Sequence, residues 1–304
     1  MTEKPVLSGV LPVLQMPYHE DFSIDYDTLK CEIDHVIDTG ADGIVLALAS
    51  ELLRLNRSER LELISMLPKM ADNRVTVTIS VGAETTREAA FYAETAEKAG
   101  ADAVMAIPPV STAIPAEKKF DYYKTIKEAI SLPLVVQDAS GYMGGEKLSV
   151  DIQVRLYNEL GPGIYFKPEG IPTGPIISQL QEALDSKAFI FEGSGGYLLI
   201  DNYRRGVSGT MPGSDIIRGI VGIWNALEIS DDDRAYEIYY PLAAIVILQI
   251  PSLDAFLAIE KYLLLKQGIF KNQLVRQPTS YDLDRHTAEE IDRLYERYCA
   301  ALDK

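Results

Sequence analysis

Short apolar runs alternate with longer segments of helical periodicity along most of the chain. The first pair is a strand-like run at 9–14, Gly-Val-Leu-Pro-Val-Leu, followed by apolar residues at Leu29, Ile33 and Val36. Apolar residues at this spacing share one face of a helix, whereas a run of roughly four to eight apolar residues is typical of a buried strand. The pattern therefore predicts a strand followed by a helix, which is one βα unit.

The same alternation recurs and predicts eight βα units. The predicted strands are 9–14, 43–48, 75–81, 103–107, 134–137, 164–167, 189–191 and 207–211. The predicted helices are 25–39, 58–70, 85–99, 115–130, 149–160, 175–184, 197–205 and 215–227. Asn56 and Glu59 have the spacing of a capping box for the second helix, and Gly100 is the expected stop of the third. Eight units is the number that closes a (β/α)8 barrel, whereas an open doubly wound sheet usually has fewer units and a glycine fingerprint, which the strand ends here lack.

After about residue 230 the strand signals stop and three helical patterns follow. They are 233–250, 253–267 and 287–302, the last opened by Thr287 with Glu290 three residues later. The polar stretch 271–285 is expected to be an ordered loop between helices. The predicted fold is therefore α/β, a (β/α)8 TIM barrel at 1–229 with a C-terminal three-helix extension at 230–304.

Composition narrows the classes of function. The chain has 304 residues, 47% hydrophobic and 24% charged, with a formal net charge of −16. The negative charge disfavours a nucleic-acid partner, because no basic face is available to replace counterions on phosphates. No apolar run approaches the roughly 20 residues that cross a bilayer, and the first residues lack a signal-peptide pattern. We expect a cytoplasmic enzyme that acts on a small molecule, without a membrane or nucleic-acid partner.

Neither a metal nor a cofactor is indicated. Cys31 and Cys299 both fall in helix-like sequence and have no metal-ligand spacing. The three histidines form no cluster with carboxylates that would suggest a metal site. We therefore expect chemistry carried by side chains alone.

Chemistry in such a barrel is expected where the strands end, and Lys167 is the only strong nucleophile there. It closes the apolar run at 164–167, and in barrels the reacting groups lie at the C-terminal ends of strands. A lysine withdrawn from water is readily deprotonated, and its amine can then attack a carbonyl carbon to form an imine. The alternative is that Lys167 only marks where the strand returns to solvent.

Several segments together resemble one family. They are Gly9–Val13, Gly40–Gly43, Ser50-Glu51, Gly100–Ala103 and Phe166-Lys167. With them, nearly the whole chain resembles the pyruvate-dependent Schiff-base lyases that include dihydrodipicolinate synthase and N-acetylneuraminate lyase. The resemblance implies an imine between Lys167 and a 2-oxo acid, a barrel with three added helices, and a homotetramer. Segments 136–139 and 165–167 look most like the branch that contains 2-keto-3-deoxy-L-arabonate dehydratase.

The chain departs from the family pattern at the residues that usually handle protons. Gln137 stands where the family has a relay tyrosine on strand five, and Leu48 and Ala49 replace a pair of small hydroxyl residues. Val110 replaces a second tyrosine, and Tyr142 replaces an arginine that would grip a dicarboxylate. These departures make the lysine-pathway reaction of the family unexpected here.

The candidate site follows from the resemblance and from the strand ends. The catalytic candidates are Lys167, Gln137 and Glu169, and the substrate-binding candidates are Ala49, Ser50, Asp138, Gly209 and Thr210. Because Gln137 cannot titrate, the proton shuttle is Ser50, Asp138, Glu169 or a bound water, with Glu169 favoured as acid/base and Ser50 for binding carboxylate or water. Asp138 and Thr210 have structural alternatives, since each could only satisfy its own loop. Glu51 is expected to pin backbone N–H groups beneath the site.

Two classes of function remain open. The leading hypothesis is a Schiff-base lyase that dehydrates a 2-keto-3-deoxy sugar acid, and its enzymatic alternative is a pyruvate-dependent aldolase or dihydrodipicolinate synthase-like enzyme. The other class is an altered barrel that binds a 2-oxo acid as a regulatory or binding protein.

Overall fold

The computed structural model describes residues 7–140 and 147–304. The strands are β1 Gly9–Val10, β2 Gly43–Leu46, β3 Thr76–Ser80, β4 Ala103–Ala106, β5 Leu134–Asp138, β6 Ile164–Pro168, β7 Phe191–Glu192 and β8 Gly209–Thr210. Every pairing between them is parallel. The order β2-β3-β4-β5-β6 forms one sheet and β1-β8-β7 forms another.

Single bridges join the two sheets into a ring. Val13, just beyond β1, bridges both Val45 of β2 and Gly213 beyond β8, and Phe166 of β6 bridges Ile190 before β7. Backbone hydrogen bonds accompany these bridges, from Val45 N–H to the Pro12 oxygen at 2.9 Å and from Phe166 N–H to the Phe189 oxygen at 2.9 Å. The eight strands therefore close a barrel, as the alternation in the sequence predicts.

Helices follow the strands and cover the barrel. They are α1 Tyr26–Asp38, α2 Arg57–Ala71, α3 Thr86–Ala99, α4 Ala116–Glu128, α5 Val150–Leu160, α6 Thr173–Ala183, α7 Leu199–Arg204, α8 Ile217–Glu228, α9 Asp232–Gln249, α10 Leu253–Lys266 and α11 Arg285–Leu302. Asn56 accepts from Glu59 N–H while Glu59 accepts from Asn56 N–H, so the predicted capping box is present. Gly100 ends α3 in a left-handed conformation with φ of 95°, as expected of a C-terminal glycine.

Several helices begin one or two residues from their predicted starts, and for the last helix the predicted opening residue is wrong. Thr287 was expected to open the last helix, but α11 begins at Arg285 and is capped by Asp284. The Asp284 carboxylate accepts from the N–H groups of His286 and Thr287, at 2.9 and 3.1 Å. Thr287 is thus a helical residue that is itself capped, and its hydroxyl donates to Asp284 at 2.7 Å.

Two layers of apolar side chains form the core. The smaller cluster holds alternate strand residues, among them Leu11, Val45, Met105, Val135 and Tyr165, and it fills the barrel interior. The larger cluster contains the residues between these, together with the inner faces of the helices. Because side chains of a strand alternate between two faces, residues 165 and 167 share the interior face of β6.

The C-terminal helices pack on this core. Ile245 and Val246 of α9, Leu263 of α10 and Ile291 of α11 are all buried in the larger cluster. The predicted division into a barrel at 1–229 and a helical region at 230–304 stays a prediction. Within the described ranges, none of the helices is long and apolar enough to cross a membrane.

Candidate active site

A cavity lies at the C-terminal end of the barrel strands and contains Lys167. Its lining residues come from the ends of six strands or the loops after them and from α10: Val13, Ala47, Leu48, Ala49, Gln137, Lys167, Glu169, Gly193, Gly195, Met211, Pro212, Leu253 and Phe256. All three predicted catalytic residues are in this set, together with the predicted binding residue Ala49. Most of the remaining wall is apolar.

Strand pairing brings Lys167 and Gln137 together. Gln137 of β5 is the register partner of Lys167 of β6, so both side chains point to the same side of neighbouring strands. That side is the barrel interior, where both residues are buried, at 2% and 3% exposure. Glu169 follows two residues after Lys167, just beyond the end of β6.

The three side chains form one connected group. The Lys167 ammonium Nζ lies 3.1 Å from Glu169 Oε1. The other oxygen of the same carboxylate, Oε2, accepts a hydrogen bond of 2.8 Å from Gln137 Nε2. Within the described part of the chain, Gln137 Oε1 has no hydrogen-bond partner although it is buried. This oxygen is therefore available to a hydroxyl group or a water in the cavity.

Burial raises the pKa of Glu169, and the neighbouring Lys167 charge and the Gln137 hydrogen bond oppose that rise. A carboxyl with a raised pKa can hold or release a proton closer to neutral pH than an exposed one. At 3.1 Å from the lysine nitrogen, it is also within reach of a proton on the Lys167 ammonium. Glu169 therefore has the position and the environment of a general acid/base.

Gly193, after β7, leaves the space that this group occupies. A Cβ atom at this position would lie 2.7 Å from Glu169 Cγ and 2.9 Å from Lys167 Cε. Those distances are shorter than real carbon contacts, and both neighbours are held by the contacts described above. A side chain at 193 would therefore displace Lys167 or Glu169.

Ser50 lies beside the cavity but does not line it. Its hydroxyl donates to the Leu14 oxygen at 2.6 Å and accepts from Ala47 N–H at 3.1 Å, and its own N–H donates to the Ala47 oxygen at 2.9 Å. These bonds hold the 3-10 turn Leu48–Ser50, which the sequence pattern does not predict. The structure thus places Ser50 as a brace of the loop that presents Leu48 and Ala49 to the cavity, while its predicted role as a ligand stays a prediction.

Asp138, Gly209 and Thr210 are also outside the cavity lining. The Asp138 carboxylate accepts from Ser140 N–H at 3.1 Å, which is the loop-pinning alternative. Thr210 donates to Glu192 at 2.6 Å, and Gly209 pairs with Gly9 in the β1–β8 ladder. Residues 211 and 212 of the same loop line the cavity instead. Tyr142 lies outside the described residues.

The sequence reasoning missed the apolar wall. Leu253 and Phe256 come from the first turn of α10, more than eighty residues after Lys167 in the chain. Neither carries a chemical group that marks a site, and both fit the helical core pattern equally well. The loop after β7 carried a signal, since Gly195 and Gly196 have positive φ of 71° and 105°, conformations that favour glycine.

A second hollow adjoins the first at Glu169 and Gly193. Its other lining residues are Ile171, Thr173, Ser194, Tyr197 and Ile250. Three of these carry hydroxyl groups, in contrast to the apolar wall on the other side of Glu169. The two hollows give Glu169 a more polar side and a less polar side.

In the part of the chain that the structure describes, no metal site accompanies this group. The residues described by the structure contain no set of three or more His, Cys, Asp or Glu side chains that could hold a metal ion. The reactive groups present are an amine, a carboxyl and an amide.

Comparison with known proteins adds three findings. A model of the dihydrodipicolinate synthetase family matches residues 6–292. L-2-keto-3-deoxyarabonate dehydratase of Azospirillum brasilense is 29% identical over 245 residues, which cover 77% of this chain and 78% of the relative. 4-Hydroxy-tetrahydrodipicolinate synthase of Neisseria meningitidis is 35% identical over 137 residues, which cover 45% of this chain and 47% of that relative, so this alignment spans about half of its length.

The fold is similar to a solved structure. The crystal structure of dihydrodipicolinate synthase from Aquifex aeolicus superposes with a TM-score of 0.88, covering 98% of this chain and 100% of the other at 21% identity. At this identity the likeness concerns the fold, and it confirms the predicted barrel with its C-terminal helices.

Proposed function

Because the chain belongs to the dihydrodipicolinate synthetase family and is a lyase, we propose that it forms an imine between Lys167 and a 2-oxo acid and dehydrates a 2-keto-3-deoxy sugar acid. The observation that carries this proposal is the Lys167–Glu169–Gln137 group, in which the lysine nitrogen lies 3.1 Å from the Glu169 carboxylate. Supporting it, the relative that aligns over three quarters of the chain is a dehydratase of 2-keto-3-deoxyarabonate.

The first step needs a neutral amine. Glu169 takes a proton from the Lys167 ammonium, and the amine attacks the C2 carbonyl of the substrate. Glu169 returns that proton to the C2 oxygen and then moves a second proton to it from the carbinolamine nitrogen, so that the oxygen leaves as water and the iminium forms. The positive nitrogen then withdraws electrons from C2 and makes the C3 hydrogens acidic.

The second step removes the C4 hydroxyl. A base takes one C3 proton and leaves an enamine, whose electrons expel the C4 hydroxyl as water once that oxygen receives a proton. Glu169 is the carboxyl that lines the cavity beside Lys167, and in this scheme it serves first as base and then as acid. The product is an unsaturated iminium, and its hydrolysis by water releases the lysine and the dehydrated 2-oxo acid.

Gln137 orients Glu169 in this scheme. Its Nε2 holds Glu169 Oε2 at 2.8 Å, which leaves Oε1 directed at the lysine. The unpaired Gln137 Oε1 can accept a hydrogen bond from the substrate C4 hydroxyl or from a water. The hollow with Thr173, Ser194 and Tyr197 offers hydroxyl partners to the rest of a sugar acid chain.

Borohydride trapping tests the imine. The protein is incubated with pyruvate or with 2-keto-3-deoxy-L-arabonate and sodium borohydride, and its intact mass and peptide map are recorded. We expect one covalent adduct on Lys167, and none in Lys167→Met. A folded protein that gains no mass with any 2-oxo acid would refute the imine proposal and would favour a binding or regulatory role.

Product analysis separates dehydratase from aldolase, since both share the iminium. A dehydratase converts 2-keto-3-deoxy-L-arabonate without releasing pyruvate, whereas an aldolase releases pyruvate that lactate dehydrogenase can reduce. We expect no pyruvate. Pyruvate release at the rate of substrate loss would replace the dehydratase proposal with the aldolase alternative.

We also propose that the protein assembles as a homotetramer and is located in the cytoplasm. The resemblance supports a homotetramer, which light scattering after size-exclusion chromatography tests by giving four times the chain mass or another multiple. The cytoplasmic location expected from the sequence is tested by fractionating the source cells.

A further inference from the structure

We propose that Lys261 is a positioning residue for the catalytic cavity: through Glu51 it fixes the turn Leu48–Ser50, and it ties that turn to the part of α10 that forms the apolar wall. The inference deepens the proposed function, because it assigns control of 2-oxo acid binding to a residue outside the cavity. The inference is tested by two measurements, and only the first of them depends on the proposed imine formation.

Lys261 and Glu51 form an ion pair that is withdrawn from water. Their side chains are 1% and 0% exposed, and the Lys261 ammonium donates directly to Glu51 Oε1. The same ammonium donates to the Leu274 oxygen at 2.7 Å and lies 4.6 Å from the centre of the Tyr18 ring. Removing one member of such a pair leaves the other charge buried without its partner, which is far more costly than losing an exposed pair.

The C-terminal segment holds the Glu51 carboxylate from a second direction. Glu51 Oε2 accepts from Arg276 N–H at 3.0 Å, and the Arg276 guanidinium also lies 4.6 Å from the Tyr18 ring centre. One carboxylate oxygen of Glu51 therefore accepts from Lys261 of α10, and the other accepts from Arg276 in the segment that follows α10. Its side chain cannot shift without breaking one of these contacts.

The backbone of Glu51 explains why the turn depends on this anchor. Glu51 has φ of 53°, a left-handed conformation, and it joins the 3-10 turn Leu48–Ser50 to the next one at Leu52–Arg54. A residue with a side chain is uncommon in this region, and surrounding contacts must hold it there. Ser50 fixes the start of the turn by its bond to the Leu14 oxygen, and Glu51 fixes its end.

The same pair connects the two sides of the cavity. Leu48 and Ala49 belong to the turn, whereas Leu253 and Phe256 belong to α10, and all four line the cavity. A groove between the turn and α10 is lined by Leu48, Glu51, Leu253 and Leu257. Since the Ala49 loop is the predicted carboxylate-binding element, a change in its position should weaken substrate binding before it affects the bond-breaking step.

The experiment compares Lys261→Met with Tyr298→Phe as a matched control. Tyr298 is buried on α11, and its hydroxyl bonds Gly219 N–H at 2.7 Å and the Ile216 oxygen at 3.0 Å, away from the cavity lining. Both variants should lose stability, but only Lys261→Met should change binding. Glu51→Gln, which keeps the shape of Glu51, is the second variant in case Lys261→Met does not fold.

The first measurement is the pyruvate concentration that gives half-maximal borohydride trapping at Lys167, at a temperature where each variant is folded by circular dichroism. We expect it to rise about tenfold in Lys261→Met or Glu51→Gln, equivalent to about 1.4 kcal/mol of binding, with the trapping rate at saturation little changed. Tyr298→Phe should match the wild type. An unchanged half-saturating concentration in Lys261→Met and Glu51→Gln would overturn the proposal.

The second measurement does not need the imine. Hydrogen exchange of peptides covering residues 44–55 should be faster in Lys261→Met than in Tyr298→Phe, because only the former releases the turn. If the wild-type protein forms no adduct, the imine proposal fails and exchange alone decides the role of Lys261. Equal exchange in the two variants would then refute it.

Discussion

Glu169 distinguishes this site from one that contains a reactive lysine alone. Its carboxylate touches the lysine nitrogen on one side and the Gln137 amide on the other, so a single residue can serve every proton transfer that the proposed reaction needs. Gln137 cannot titrate, and within the described residues the cavity lining contains no other carboxyl and no tyrosine. The proton chemistry should therefore depend on Glu169 to an unusual degree.

Glu169→Gln should separate imine formation from turnover. The amide keeps the size and the contact with Gln137 but cannot accept a proton, so we expect kcat to fall by about 10²- to 10⁴-fold. Trapping with pyruvate should still give an adduct on Lys167, more slowly than in the wild type. Steady-state kinetics with 2-keto-3-deoxy-L-arabonate and borohydride trapping measure the two effects.

The pH profile gives the same assignment an independent check. Burial raises the pKa of Glu169, so as the pH is lowered its carboxylate is protonated earlier than that of an exposed glutamate, whose pKa is about 4.3. The acid limb of the kcat/KM profile should therefore have its midpoint above about pH 4.3. Glu169→Gln should lack this limb, and the exposed Glu182→Gln should retain it. An acid limb that survives in Glu169→Gln would assign the base to another group.

At the scale of single residues, the sequence reveals those site residues whose side chains carry a reactive or titratable group. Lys167 ends an apolar run and Glu169 is the nearest carboxyl after it, so both can be named as candidates from the sequence, and both line the cavity. Leu253 and Phe256 could not, because an apolar residue at a cavity wall is indistinguishable in sequence from one in the core. Ser50 and Thr210 remain predicted substrate ligands, and the structure adds that their hydroxyls donate to the Leu14 oxygen and to Glu192. These contacts join residues distant in the chain, so a local sequence pattern does not reveal them.

For the helices and strands, it was easier to predict that an element exists than to predict the residues at which it begins and ends. All eight strands and their helices appear in the predicted order, because each needs only a local period of apolar residues. The predicted strand at 9–14 is regular only at Gly9–Val10, and beyond Pro12 its pairing is reduced to single bridges at Val13. Helix starts depend on which side chain reaches the free N–H groups, which is why Asp284 and not Thr287 caps α11.

Replacing the two candidate caps of α11 tests that correction. Asp284→Ala leaves the N–H groups of His286 and Thr287 without a side-chain acceptor and removes a negative charge from the helix N-terminus. Thr287→Ala removes only the bond between its hydroxyl and Asp284. We expect the urea midpoint of unfolding to fall more for Asp284→Ala, and the reverse order would restore Thr287 as the cap.

At the scale of the whole molecule, buried polar contacts join the barrel to the C-terminal helices. Gln15, beyond β1, donates its side-chain amide to Glu260 of α10, and Asp215, beyond β8, accepts from Gln249 of α9 at 2.8 Å. The barrel alternation and the three helices could be predicted from local patterns, but these contacts link residues more than thirty positions apart. The proposed boundary near residue 230 therefore separates two architectures, but these contacts stabilise the barrel and the C-terminal helices together.

Three carboxyl groups meet at this junction, on Glu32, Asp215 and Glu260, all fully or almost fully buried. Burial raises the pKa of Glu32 to about 8 and that of Asp215 to about 6, and raises the pKa of Glu260 well above its usual value. Ser214 and Gln15 hydrogen bonds and the Lys261 charge oppose the rise at Glu32, whereas Asp215 adds to it. The folded protein therefore binds protons here that the unfolded chain has already released.

This predicts that the junction weakens as the pH rises. Between about pH 4.3, where an unfolded glutamate ionises, and about pH 8, the raised pKa of folded Glu32, the folded state holds a proton that the unfolded state lacks. The free energy of unfolding must then fall with increasing pH. Glu32→Gln can still accept hydrogen bonds from Gln15 N–H and Ser214, but it has no proton to lose. The free energy of unfolding of this variant, relative to that of the wild type, should therefore be highest at the alkaline end of the range. Urea unfolding from pH 5 to 9, with the exposed Glu182→Gln as control, measures the difference, and a constant difference across this range would show that Glu32 keeps the same charge in both states.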